Sequence, residues 1–137
     1  HGFPAPAPCT TPAAATNYGI GWPGTLGVPT LNASGAPILG TSITMGLITS
    51  SPLDSIAIFL VGFTALSSPT LIGGTQLVDF QALVTFGITP QLRQFPLTVP
   101  CDVAFCGFSL YLQALVYDTG ASHDYAFTNG LELVFGF

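Results

Sequence analysis

Apolar residues recur at every second position along much of this chain, which is the pattern of β-strands with one buried face. In residues 38–48, Ile43, Met45 and Leu47 share one face, and in residues 108–117 the even-numbered positions are mostly apolar. Residues 54–63 are almost continuously apolar, as in a strand that is covered on both faces. Further strands are predicted in residues 26–31, 76–86 and 91–99.

The end of the chain predicts a β-hairpin. Residues 125–137 read as two strands around Asn129-Gly130, a dipeptide that favours the positive φ angles of a tight turn. No segment combines a 3.6-residue apolar period with capping residues at its ends, so no helix is predicted. The pattern therefore predicts an all-β fold, a two-sheet antiparallel β-sandwich of the jelly-roll or immunoglobulin-like type.

The first seventeen residues have a different character. Prolines alternate with other residues in 3–8, and small residues follow up to Thr16. Proline in this spacing favours extended or polyproline II backbone. The sequence therefore divides into an extended Pro/Ala/Thr-rich N-terminal arm, residues 1–17, and a β-sandwich domain, residues 18–137.

The chain carries very little charge. It has 137 residues, one Lys or Arg (Arg93) and six acids, for a net charge of -5, while 49% of its residues are hydrophobic. Nucleic-acid binding needs Lys and Arg against phosphates, so that class is excluded, and no apolar run is long enough to insert into a membrane as a helix. A surface with so little charge predicts polar uncharged residues, glycans or burial against neighbouring subunits.

The two ends of the apolar domain resemble a known family. The opening residues are Tyr18-Gly19-Ile20-Gly21-Trp22-Pro23-Gly24-Thr25, then Val28-Pro29-Thr30-Leu31 and Gly35-Ala36-Pro37; the closing residues are Leu110-Tyr111-Leu112-Gln113-Ala114-Leu115-Val116-Tyr117-Asp118 and Thr128-Asn129-Gly130-Leu131-Glu132-Leu133. They are similar to Gly-rich secreted β-domains at the C-termini of large extracellular proteins of planctomycete-like and myxobacteria-like bacteria. That family commonly has Cys where this chain has Trp22. The resemblance implies an extracellular β-sandwich and no catalytic or binding residue.

The cysteines indicate an oxidising compartment. Cys101 and Cys106 are close enough in sequence to close a small loop, which leaves Cys9 free or bonded to another chain; pairing of Cys9 with either of the others stays open. His1 in place of Met predicts that a targeting segment was removed. The chain is therefore predicted to be secreted, extracellular or on the cell surface.

Glycans are predicted at two places. Asn32-Ala33-Ser34 is an N-glycosylation sequon, and Thr10, Thr11 and Thr16 stand among Pro and Ala as in O-glycosylated stretches. Sugars attached at these positions are one way to solvate a surface that has few charges.

Catalysis has little support in the sequence, and the prediction is that the chain is not an enzyme and needs no cofactor. The sharpest catalytic alternative is a copper histidine brace made by His1 and His123, because imidazole suits copper. A carbohydrate-binding module is the other alternative, with Tyr111 and Tyr117 on one face of a strand. Asp118 and Asp124 could share a calcium loop, but acidic turn residues are the simpler interpretation.

The leading prediction is a structural subunit that assembles head-to-tail into a filament. Its N-terminal arm would add a strand to the sheet of the next subunit. The residues predicted to pair there are Ala13, Ala14, Ala15, Thr16, Asn17, Tyr18, Gly19 and Ile20.

Overall fold

The fold is described from a computed structural model for residues 9–90 and 93–137. These residues form an all-β structure with two antiparallel sheets, as the alternating pattern predicted. No helix in the described ranges has the length and hydropathy needed to cross a bilayer. The strands are β1 Ala14–Tyr18, β2 Thr30–Ala33, β3 Ser42–Ile48, β4 Ser55–Pro69, β5 Thr75–Ile88, β6 Arg93–Thr98, β7 Ser109–Tyr117, β8 Tyr125–Phe127 and β9 Gly130–Val134.

The larger sheet has the strand order β1-β9-β7-β4-β5, with β8 also paired to β7, and the smaller sheet has the order β2-β3-β6. Every ladder in both sheets is antiparallel. Within the described ranges, the edge strands are therefore β1 and β5 in the larger sheet and β2 and β6 in the smaller one.

The two sheets pack face to face through one hydrophobic core. In β3, Ile43, Met45 and Leu47 are buried as their spacing predicted. In β7 the predicted apolar face is also confirmed, because Leu112, Ala114 and Val116 are all buried. Burying alternate residues of facing sheets is the main stabilising contribution in such a fold.

The predicted hairpin at Asn129-Gly130 is wrong. Strands β8 and β9 do not pair with each other; both pair with β7 on the same side, as Leu115↔Phe127 and Leu112↔Leu131. They form one strand interrupted by an irregular stretch at 128–129. The Asn129 side chain is used there to bond the smaller sheet: it accepts from Leu31 N at 3.1 Å and donates to Leu31 O at 3.0 Å.

The distal part of the β4–β5 hairpin curls over the outer face of the larger sheet. Its anchor is Gln113, which points outward from β7 and is fully buried. The Gln113 amide donates to Thr75 O at 3.0 Å and to Thr128 O at 3.1 Å, and it accepts from Leu77 N at 2.9 Å. A buried amide with all these partners holds the curl in one position.

The predicted N-terminal arm is only partly described, because residues 1–8 lie outside the described ranges. Residues Ala14–Tyr18 do not extend away from the domain. They form β1 and pair antiparallel with β9 of the same chain, from Ala14↔Val134 to Tyr18↔Gly130. The boundary predicted at residue 17 therefore falls inside a strand.

Candidate assembly surface

The two sheets are held together on one side of the molecule. Asn17 on β1 donates from Nδ2 to Oδ1 of Asn32 on β2 at 2.7 Å. Beside it, Asn129 bonds both backbone groups of Leu31. The β1 and β2 edges are thus joined by side-chain hydrogen bonds, and this side of the fold is closed.

The opposite side, between β5 and β6, is an open apolar groove of about 310 Å³. Its base is a cluster of three aromatic rings: Phe59 lies 4.8 Å from Phe95 and 5.4 Å from Phe86 between centroids, and Phe86 lies 4.7 Å from Phe95. The rest of the lining comes from Met45, Val61, Val84, Pro96, Leu97, Leu110 and Leu112.

The β5 edge beside this groove has free backbone groups. Ala114 on β7 exchanges hydrogen bonds with Thr128, away from β4. Backbone groups alternate in direction along an antiparallel strand, so Phe59, opposite Ala114, bonds toward β5 and pairs with Val84. The residues on either side of Val84, Leu83 and Thr85, therefore direct their N–H and C=O groups away from the sheet.

Several large apolar side chains along this edge are exposed. Phe80 is 41% exposed, Leu83 is 54% exposed and Val84 is 40% exposed, and Phe63 on the neighbouring strand is 56% exposed. Residues 80–90 include no charged residue. Natural edge strands are usually protected by charge, proline or a covering segment, and among the residues that the structure describes none of these stands on β5 between Phe80 and Ile88.

The β6 edge, across the groove, is protected. Thr44 on β3 exchanges hydrogen bonds with Ser34, which lies on the β2 side. Its partner on β6, Pro96, therefore faces the free edge, where proline offers no N–H. The guanidinium of Arg93, 5.3 Å above the Phe95 ring, adds a charge to the same edge.

A second apolar hollow, of about 250 Å³, lies on the outer face of the larger sheet under the curled hairpin. Leu83 contributes to its lining, together with Leu60, Leu115 and Phe127. The β5 edge thus has apolar surface on both of its faces.

The residues predicted as an assembly arm have a different position. Ala14–Tyr18 pair with β9, and the backbone of Ala13 donates to Phe137 O at 3.2 Å. Tyr18 is fixed further by its hydroxyl, which donates to Leu77 O at 2.5 Å. Burial, and then the nearby Tyr111 and Glu132, raise the pKa of Tyr18 to about 12. One edge of this segment belongs to the chain's own sheet, and its pairing with another subunit stays a prediction.

The predicted Cys101–Cys106 disulfide is wrong. Cys106 is bonded to Cys9, one of the alternatives that the sequence left open, and Cys101 is free and exposed. A one-turn 3-10 helix at Val103–Phe105, capped by Asp102 Oδ1 accepting from Ala104 N at 2.9 Å, separates the two cysteines. The N-terminal segment and the Cys106 loop both contact the end of the chain: Thr11 O accepts from Phe137 N at 3.0 Å, and Gly107 N donates to Phe135 O at 2.7 Å.

The predicted glycosylation residues lie at the surface in three of four cases. Asn32 is exposed on β2, where its side-chain oxygen accepts from Asn17. Thr10 and Thr16 are exposed, whereas Thr11 is half-buried. Attachment of a glycan at any of these positions stays a prediction.

The aromatic residues considered for sugar binding do not make a flat platform. Tyr111 packs edge-to-face on Tyr18 at 6.0 Å, and Tyr117 packs edge-to-face on Tyr125 at 5.7 Å. Between the two pairs lies Gln113, which is buried under the curled hairpin.

The metal-binding alternatives gain no geometric support. His1 lies outside the described residues, and His123 is an exposed residue at φ 60° whose Nδ1 is 2.8 Å from Ser122 Oγ. Among the described residues, no three His, Cys, Asp or Glu side chains gather as a metal site would require.

Asp118, which the sequence suggested as a turn residue or a calcium ligand, is a buried carboxylate that is only 2% exposed. It accepts from Thr25 N at 2.8 Å and Thr25 Oγ1 at 2.6 Å, from Ser50 Oγ at 2.8 Å and from Gly120 N at 2.9 Å. Burial acts to raise the pKa of Asp118, but these hydrogen bonds outweigh it and leave the pKa below its usual value. With its oxygens already paired, the carboxylate acts as a structural anchor.

Comparison of the chain with protein families, curated proteins and solved structures finds no match. The similarity to Gly-rich secreted β-domains thus stays a prediction from the sequence. The function has to be argued from the chain's own surface.

Proposed function

We propose that this chain is a non-catalytic structural subunit that assembles with copies of itself outside the cell. The observation that carries the proposal is the open side of the fold, where an apolar groove lies beside a bare strand edge. Exposed apolar surface of this kind on a soluble domain is typical of an interaction site.

The charge distribution supports the same proposal. With one Lys or Arg and six acids in 137 residues, the chain has little charge to keep copies of itself apart. A partner that recognised ions or phosphates would require charged side chains, whereas a copy of the same chain requires only apolar surface and free backbone groups.

The proposal differs from the donor-strand mechanism expected from the sequence. Ala14–Tyr18 are paired within their own sheet. Assembly in the proposed form leaves each fold intact and joins finished domains at their surfaces.

The test is the mass of the native protein in solution. We expect sedimentation equilibrium to give a weight-average mass that rises with concentration above the 14.1 kDa of one chain. A single 14.1 kDa species across the whole micromolar range would contradict the proposal.

A further inference from the structure

We propose that β5 pairs with β5 of a second copy, antiparallel and about a two-fold axis at Thr85, so that the larger sheets of two chains become one continuous sheet. This inference rests on the proposed function and specifies the surface that it uses. The argument depends on the direction of backbone groups, on the side chains that would meet and on charge.

The backbone argument selects the edge. Leu83 and Thr85 direct their backbone groups away from β4, and so does Gly87, which continues the same alternation. The β6 edge lacks the Pro96 N–H and has Arg93 beside it. On the open side of the fold, β5 is thus the edge that can form a full set of ladder hydrogen bonds.

The side chains select the register. With Thr85 opposite Thr85, Leu83 of each copy faces Gly87 of the other. Nothing lies within 4 Å of the position that a Gly87 side chain would occupy, so the exposed Leu83 has room there. On the inner face, Val84 of one copy meets Phe86 of the other and covers the mouth of the groove.

Charge and area are compatible with a second copy as the occupant. Asp79 is the charged residue of β5 and lies six positions before Thr85, so the two Asp79 carboxylates would be about 40 Å apart at about 3.3 Å per residue. In this register residues 82–88 of one copy pair with the same residues of the other, and a contact made by one short strand per chain lies at the lower end of the size range of specific interfaces. We therefore expect a dimer that forms at micromolar rather than nanomolar concentration.

The first experiment compares two proline variants in a Cys101→Ser background, which removes the exposed thiol. Thr85→Pro removes an outward N–H from β5, and Gln94→Pro removes an outward N–H from the already protected β6 edge. We expect Thr85→Pro to weaken dimerisation at least tenfold in sedimentation equilibrium and Gln94→Pro to leave it unchanged. Leu83→Lys leaves the backbone intact and should weaken dimerisation to a similar extent. The circular dichroism spectra of Thr85→Pro and Leu83→Lys, compared with that of the wild type, check that both variants are folded.

The second experiment tests the register. Thr85→Cys should form a disulfide-linked dimer under mild oxidation, since directly opposed strand residues have Cα atoms about 5.5 Å apart, within reach of a disulfide. Leu83→Cys should not form a disulfide-linked dimer, because residue 83 of one copy faces Gly87 of the other. Assembly that persists unchanged in Thr85→Pro and Leu83→Lys would overturn the β5 interface and leave self-assembly standing. A wild type that stays monomeric would overturn the proposed function itself.

Discussion

The residue that joins the loops at one end of this fold is Asp118. Its carboxylate links the turn at Thr25, the segment after β3 at Ser50 and its own loop at Gly120. Gly24 packs against it so closely that a Cβ would lie 2.1 Å from Oδ2. A short acidic residue in a Gly-rich loop is ordinarily a turn residue, which is how the sequence was interpreted. Its burial depends on partners 68 and 93 residues away, and spacing along the chain does not reveal them.

Replacing Asp118 by Asn should destabilise the fold by about 2–4 kcal/mol, because an amide turns one acceptor into a donor that faces other donors. Urea unfolding at pH 7 measures the loss. Asp54→Asn is the matched control, since Asp54 is exposed and the same change of charge there should cost less than about 0.5 kcal/mol. Equal effects of the two substitutions would contradict an anchoring role for Asp118.

The same carboxylate makes stability depend on pH. The pKa of Asp118 is lower in the folded chain than its usual value, so its contribution is present above the unfolded pKa of about 3.9 and disappears as pH falls through the folded pKa. We expect the difference in unfolding free energy between wild type and Asp118→Asn to be constant above about pH 5 and to shrink below about pH 4. A difference in unfolding free energy that grows on acidification would contradict a lowered pKa of Asp118 in the folded chain.

In the strand formed by β8 and β9, the local sequence predicts a turn, but contacts with distant residues keep the chain extended. Asn129-Gly130 has the composition of a tight turn, yet Asn129 bonds to Leu31 and Gly130 lies under the Tyr18 ring. A Cβ at Gly130 would be 2.3 Å from Tyr18 Cζ. The glycine therefore provides space for a ring from another strand, and the chain does not reverse.

Gly130→Ala should lower stability by about 1–3 kcal/mol, since the Tyr18 ring is held by its hydrogen bond to Leu77 and cannot move away freely. Gly35→Ala is the control, because a Cβ at Gly35 meets nothing within 4 Å. Thermal unfolding followed by circular dichroism compares the two. If Gly130→Ala is as stable as Gly35→Ala, the close contact with Tyr18 does not constrain this strand.

The Cys9–Cys106 bond ties the N-terminal segment to the end of the core across 97 residues. A loop of about that length restricts the unfolded chain by about 4–5 kcal/mol in the chain-entropy description. The double variant Cys9→Ser, Cys106→Ser should therefore be about 3–5 kcal/mol less stable by urea unfolding. Cys101→Ser, at the exposed free cysteine, should match the wild type; a loss there would indicate another pairing.

The sequence predicted the strands better than it predicted their partners. The alternation of apolar and polar residues was enough to predict the buried faces of β3 and β7, because successive side chains of a strand point to opposite faces of the sheet. The disulfide could not be deduced from spacing because the pairing of Cys9 with Cys106 depends on the chain's end meeting Thr11. The groove was also not predictable: the residues of β4, β5 and β6 read as ordinary core strands, and only the strand order leaves them at an open side.

For the whole molecule, the asymmetry between its two sides determines how copies can meet. Side-chain hydrogen bonds close the β1–β2 side, and apolar surface with free backbone groups lies on the β5–β6 side. In most soluble domains, charge would offset such a surface. Here Arg93 lies at the β6 edge, across the groove from β5, and residues 80–88 of β5 carry no charge.

Salt should distinguish this kind of association from one based on ion pairs. An interface of apolar side chains and backbone hydrogen bonds has no ion pair to screen, while the net charge of -5 on each copy gives a weak repulsion that salt reduces. We therefore expect the dissociation constant to stay the same or to fall as sodium chloride rises from about 0.05 to 0.5 M, about the range over which screening becomes strong. Sulfate should strengthen association further, because it favours burial of apolar surface.

Sedimentation equilibrium at several concentrations of sodium chloride and of sulfate measures both effects, with Leu83→Lys as the comparison that adds one positive charge to each edge. Dissociation of the wild type by salt would mean that its acids and Arg93 form the contact, and the β5 edge would not be the surface that joins the copies.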